Sequence, residues 1–291
     1  MKVFKKLLSG AVDMHVHFSP DTLPRKLDAL EVAREAAQAG MAALVLKSHA
    51  YNTAPLAAVV EKLVGGVRVF GSIVLNRAVG GINPDAVRAA LSLGAKVIWM
   101  PTVSAANHQK ALRGSPRAGH LGRLGVETTG LSILDPEGKV LPEVVEIVRL
   151  IRDAQAVLAS GHLALVEVKS LVECAAQEGL KRLIVTHPEL DITWIPDQDQ
   201  KELAAKGALF ERCWFSSSPS GLGQDPSIIV NSIKSVGAES TIISSDMGQV
   251  GNPSPVEGLG LFLKELLDRG IGPEEIELMS KHTPKKLLGL D

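Results

Sequence analysis

Residues 11–20 read AVDMHVHFSP. A short apolar run ends in His15-Val16-His17 and breaks at Ser19-Pro20. On a β-strand, side chains two residues apart point to the same face. The run therefore predicts a strand whose C-terminal end projects two imidazoles together. Two neutral imidazoles converging on one point suit a borderline-soft divalent cation such as zinc. Two surface histidines on a half-buried strand would read the same way in isolation, so the rest of the chain decides.

Outward from that stretch, apolar strand-like runs alternate with amphipathic helical runs along all 291 residues. Strands are predicted at 11–18, 42–47, 67–75, 96–100, 156–160, 183–186, 208–215 and 241–244. The first helix is predicted over 25–39 with Gly40 as its C-cap. Another opens at Asn83-Pro84, a capping residue followed by proline at the first helical position. Eight such alternations imply a parallel sheet and suit a closed (β/α)8 TIM barrel; an open doubly wound sheet is the alternative. No GxGxxG or GxxxxGK[ST] follows a strand, so a nucleotide crevice has no support. Without a shift in composition or a linker, the chain reads as a single domain over 1–291. A long connection over 102–140 follows strand four. Its first part carries Lys110, Arg113, Arg117 and Arg123 and reads as a solvated basic loop or an anion-binding lid. Its second part reads as a hairpin turning at Asp135-Pro136-Glu137-Gly138. Helical runs at 256–268 and 273–288 close the chain, as an extra cover for the barrel or as a homo-oligomer interface.

A net charge of -1 and only 3% aromatic residues leave no footprint for nucleic acid or an anionic membrane. No apolar run approaches the ~20 residues that span a bilayer. The N-terminal MKVFKKLLSG has too short an apolar stretch for a signal peptide. Cys174 and Cys213 are far apart and lack CxxC spacing. A reducing, cytoplasmic location and a small-molecule partner are expected.

Of 8 histidines, five fall at or just past a predicted strand's C-terminal end: His15, His17, His49, His162 and His187. In a parallel barrel that rim is where active sites are built. Asp246 takes the same place after strand eight. Each alone has an ordinary reading as a cap or turn residue. Together, four imidazoles and a carboxylate on one rim are costly to hold without a cation. His15, His17, His162, His187 and Asp246 are thus the candidate metal ligands.

This ordered set resembles the amidohydrolase superfamily of metal-dependent barrels. There HxH ends strand one, single histidines end strands five and six, and an aspartate ends strand eight. The C-terminal HTPKKLLGL, residues 282–290, is similar to the superfamily's common ending. The resemblance implies one or two divalent cations, with zinc expected and manganese, iron or nickel as alternatives. It also implies a water-activating hydrolase acting on amide, ester, lactone or phosphoester bonds. Asp246 would be the proton acceptor, and His187 a second-metal ligand or a support for the developing oxyanion. Strand four lacks the superfamily's carboxylated lysine or glutamate. Lys47, after strand two, is the nearest lysine at a strand end, either carbamylated or charged toward a substrate anion. His49, His108, Arg113 and Arg117 are candidate substrate contacts. The alternatives are a metal-dependent non-oxidative decarboxylase and a phosphoesterase of the histidine-rich barrel type.

Overall fold

The computed structural model describes residues 6–113, 130–218 and 220–290. Eight parallel strands form one sheet in chain order: β1 Val12–Val16, β2 Ala43–Leu46, β3 Arg68–Val74, β4 Ala95–Trp99, β5 Val157–Ala159, β6 Leu183–Thr186, β7 Leu209–Cys213 and β8 Thr241–Ser244. The sheet closes on itself: Val16 bridges Met247 in parallel, and Asp246 N donates to His15 O at 3.0 Å. β6 and β8 match the expected ranges, β4 is displaced by one residue toward the N-terminus, and the other strands are shorter by one or two residues at each end.

The first helix shows why one boundary moved. It spans Ala29–Ala39 because Asp28 caps it: the Asp28 carboxylate accepts from Glu31 N, and the Glu31 carboxylate accepts from Asp28 N. Residues 25–28, expected to be helical, instead belong to the loop that follows β1. Asn83 caps the helix Pro84–Ser92 as its sequence predicts. The hairpin after β4 is present as a Leu134–Val140 bridge with a turn from Asp135 to Gly138. The last helical run is interrupted, with a π turn at Leu278–His282 between Pro273–Glu277 and Thr283–Leu288. The turn lies directly before Pro284, whose missing N–H cannot serve the regular helical ladder.

Alternation along the strands divides the apolar residues into an outer and an inner set. Outward residues such as Leu44, Leu46 and Ile243 pack under the helices, including Val32, Phe262 and Leu263. Inward residues Val12, Met14, Ala43, Val45, Val97, Trp99, Ile184 and Ile242 fill the barrel. Leu287 and Leu288 join this inner set, so the C-terminal helix covers the barrel's N-terminal mouth. The helix Pro255–Asp268 likewise buries its apolar face against the barrel wall. Among the described residues, no helix is long and apolar enough to cross a membrane. Both cysteines are free.

Candidate metal centre

The inward positions at the strands' C-terminal ends build the site. Lys47 continues the inward series Ala43 and Val45; Trp99 follows Val97; Glu211 and Cys213 follow Leu209; Ser244 and Asp246 follow Ile242. Strand one breaks this parity. Val12 and Met14 face the barrel, so strict alternation would turn His15 and His17 outward. The β1–β2 register shifts between Asp13 and Val16, which sends Val16 and Phe18 to the outer core and leaves both imidazoles with Asp246. Asp13 ties β1 to β8 at this point. Its Oδ1 accepts from His15 N at 3.2 Å and from Ser245 N at 3.0 Å, and burial pushes its pKa up to about 6.

Asp246 Oδ1 lies 3.0 Å from His15 Nε2 and 3.2 Å from His17 Nε2. Behind His15, the Nδ1 atom faces Glu211 Oε2 at 3.2 Å, while Glu211 Oε1 accepts from Ser244 Oγ at 2.9 Å. A carboxylate accepts only, so the His15–Glu211 contact places the ring proton on Nδ1. Lys47 Nζ, which only donates, meets Nε2 at 2.8 Å and sits 4.1 Å from the Trp99 ring centroid. His15 Nε2 therefore presents a lone pair to Asp246 Oδ1. The carboxylates Asp246 and Glu211 favour protonating His15 against the effect of burial, while the Lys47 contact needs it neutral. Burial pushes Asp246 up, and it lies well below the usual carboxylate range only with positive charge or donors from His15 and His17 at its Oδ1.

A second imidazole pair stands alongside. His187 and His162 approach Nε2 to Nε2 at 3.2 Å, and the His15 and His187 rings are 6.2 Å apart between centroids. Thr193 Oγ donates to His187 O at 2.8 Å, so the same oxygen accepts from His187 Nδ1 at 2.9 Å. His187 Nε2 thus carries a lone pair too, and burial lowers the ring's pKa to about 4. His108 lies behind His162: the rings stack at 4.7 Å with their Nδ1 atoms 2.6 Å apart. His108 is buried, and its Nδ1 is the atom turned to His162.

His49 lines the other side of His17, with ring centroids 4.9 Å apart. Its Nδ1 meets Thr102 Oγ1 at 2.9 Å. Asn76 fixes both partners, donating to His49 O and Thr102 Oγ1 and accepting from the Thr102 and Ser104 amides. Arg113 lies exposed just past the helix Ala106–Leu112. Arg117 falls outside the described residues. Sequence reading missed Glu211, Asp13, Asn76 and Thr102. For Glu211 a signal existed, because it shares the inward parity of Leu209 and Cys213 within an apolar strand.

The donor set fits a divalent cation. Ligand bonds of 2.0–2.1 Å in a tetrahedron put neighbouring donor atoms about 3.3 Å apart. The Asp246–His15, Asp246–His17 and His162–His187 separations of 3.0, 3.2 and 3.2 Å have this size. His15, His17 and Asp246, all buried, bring one ligand atom each within 4.8 Å of one another. A lone pair facing a carboxylate oxygen is repulsive unless a positive charge lies between them, and such a charge also suits the Glu211–His15 pairing. The backbone carries strain here as well. Among the described residues, the non-glycine positions with positive φ are Gln155, His187 at 32° and Asp246 at 53°. Strain of about 1–3 kcal/mol at such a position persists only where the surroundings impose it.

The profile of a family described as "Family of unknown function (DUF6282)" matches residues 10–211. No curated protein matches the chain. Among solved structures, a probable dipeptidase, PvdM, from Pseudomonas aeruginosa aligns at TM-score 0.67 and 11% identity, covering 99% of this chain and 98% of that one. An amidohydrolase from Pseudomonas aeruginosa aligns at TM-score 0.63 and 13% identity, covering 99% and 97%. An organophosphorus hydrolase from Deinococcus radiodurans aligns at 0.60 and 15%, covering 96% and 92%. At these identities the likeness is one of fold, and it accords with the amidohydrolase-like reading of the histidine pattern.

Proposed function

The chain belongs to this family of unknown function, and from that premise we propose that it is a metal-dependent hydrolase of a small-molecule substrate. The observation that carries the reading is the convergence of His15 Nε2 and His17 Nε2 on Asp246 Oδ1, with His15 locked from behind by Glu211. The structural neighbours are named as a dipeptidase, an amidohydrolase and an organophosphorus hydrolase, which supports attack at an acyl or phosphoryl centre.

His15, His17 and Asp246 would hold the cation, with His162 and His187 beside it for the same or a second ion. Zinc suits this nitrogen and oxygen set, and manganese, iron or nickel are the alternatives. A divalent cation there supplies Lewis-acid polarisation and lowers the pKa of water from 15.7 toward ~7. Asp246 is the proton acceptor. Its Oδ1 is engaged by both imidazoles, and its Oδ2 has no hydrogen-bond partner among the described residues. Glu211 keeps the His15 proton on Nδ1 throughout the reaction. His187 accepts rather than donates at Nε2, which favours a ligand role over an oxyanion-donor role. His49, held by Thr102 and Asn76, and Lys47, set against His15, would orient the substrate's polar groups.

The test is elemental analysis of the purified protein together with a hydrolysis screen over dipeptides, lactones and phosphotriesters. At least one equivalent of metal is expected, with chelation abolishing any hydrolysis found. Asp246→Asn should retain most of the metal and lose nearly all turnover. Less than one equivalent of metal, a fully active Asp246→Asn variant, or carbon dioxide release without water incorporation would overturn the reading.

A further inference from the structure

One buried cation takes no part in the arrangement above. Arg25 lies in the loop between β1 and the first helix, and its side chain is 4% exposed. Its Nε donates to Asp21 Oδ2 at 2.7 Å, and the Asp21 side chain is itself 1% exposed. Asp21 Oδ1 is turned to Thr22, accepting from its amide and hydroxyl. The pair is therefore made through Nε alone, not through the paired outer edge of the guanidinium. A guanidinium has five N–H donors and keeps its charge at any pH a protein tolerates. One donor is used here, and Nη1 and Nη2 have no acceptor among the described residues.

The backbone sets this group beside the metal centre. Arg25 bridges Gln249 in antiparallel fashion, and Lys26 N donates to Gly248 O at 2.9 Å. Gly248 lies so close to His17 that a Cβ at this position would stand 2.2 Å from His17 O. Gln249 Nε2 donates to Asp246 O at 3.1 Å. Arg25 is thus one ladder step from the residues that seat both His17 and Asp246. Its charge is felt at His17 and His49, where it adds to the effect of burial in disfavouring protonation.

We propose that Arg25, braced by Asp21, receives an anionic group of the substrate, a carboxylate or phosphate oxygen pair, next to the metal centre. Planar fork geometry matches two such oxygens at once, and the largely buried side chain leaves its Nη donors open to them. The substrate class that follows is a small molecule carrying a carboxylate or phosphate close to the bond that is cleaved. The word substrate rests on the hydrolase reading; the anion site does not.

Isothermal titration calorimetry on the whole protein tests this with two probes, inorganic phosphate and succinate. Wild type should bind at least one of them at one site, and the tighter probe identifies the anion. Arg25→Lys keeps a charge but loses the fork, and should weaken binding about tenfold. Arg25→Met should weaken it about 10–100-fold or abolish it. If Arg25→Met fails to fold by circular dichroism, Arg25→Lys decides. Binding of neither probe by wild type, or wild-type affinity in the folded variants, overturns the proposal. Metal content is measured on the same samples. Normal metal with weakened anion binding supports Arg25 as the anion site. Anion binding that depends on Arg25 in a protein without metal overturns the hydrolase reading and leaves the anion site standing.

Discussion

Replacing Glu211 with glutamine tests the site's internal logic. Glu211 is fully buried, with Oε2 against His15 Nδ1 at 3.2 Å and Oε1 accepting from Ser244 Oγ at 2.9 Å. Glutamine keeps the shape but turns one oxygen into a donor. If its NH2 faces His15, that ring must offer a lone pair at Nδ1 and move its proton to Nε2, which ends its use as a ligand. If instead the amide oxygen faces His15, the Ser244 hydroxyl rotates to accept, the tautomer survives, and only the negative charge is lost. The second arrangement sets the lower bound on the effect. Loss of such a supporting partner typically lowers metal affinity 10–100-fold, or about 1.4–2.7 kcal/mol. Competition against a chromophoric chelator near neutral pH measures this directly. Glu189→Gln, a buried glutamate paired with Arg212 rather than with a histidine, is the control. If Glu211→Gln binds metal within twofold of wild type while Glu189→Gln behaves alike, His15 is not held by Glu211 in the way argued.

Three further outcomes are expected. Arg212 and Glu189 form a buried ion pair, with Gln200 accepting from Arg212 Nη2 at 3.1 Å. Glu189→Gln should therefore cost about 3–5 kcal/mol in urea unfolding, and adding Arg212→Met should recover much of that loss; a cost below about 1 kcal/mol would contradict it. Tyr51 is the single tyrosine, its hydroxyl donates to Pro20 O at 2.8 Å, and burial followed by the Asp21 charge raises its pKa from 10.0 to about 12. The protonated phenol is thus favoured in the folded chain. Its stabilisation is complete below pH 10 and lost as pH rises through about 12, which absorbance at 295 nm reads without interference from other tyrosines. A midpoint near 10 in folded protein would be the contrary result. Gly161 has φ +59, and a Cβ there would meet Met100 O at 2.3 Å, whereas Gly94 has φ +91 with nothing within 4 Å. Gly161→Ala should cost about 3–4 kcal/mol and Gly94→Ala about 1–2, by thermal or urea unfolding; equal losses would show that backbone strain alone matters.

The sequence by itself determined the elements and most of the candidate site, because those signals are local. Strand and helix periods are written in consecutive side chains, and β6 and β8 match their expected ranges to the residue. A histidine or aspartate at a strand end is equally visible, since one strand end follows from one turn signal. His15, His17, His162, His187 and Asp246 come from that reading.

Closure of the barrel decided everything that depends on which strand ends meet. Glu211 stands behind His15 across 196 positions of chain, and a backbone bridge ties Arg25 to Gln249, three residues past Asp246. Local context likewise left His49 at a strand end and His108 in the long connection as equal candidate substrate contacts, although one lies beside His17 and the other against His162. Strand one is the sharpest case. Period-2 alternation correctly predicted that His15 and His17 share a face, yet from Val12 and Met14 it would have pointed that face outward. The register shift that turns it inward comes from pairing with β2 and from the Asp13–Ser245 bond to β8. A strand's parity is a property of its own sequence, but the side of the barrel it faces is set by its neighbours.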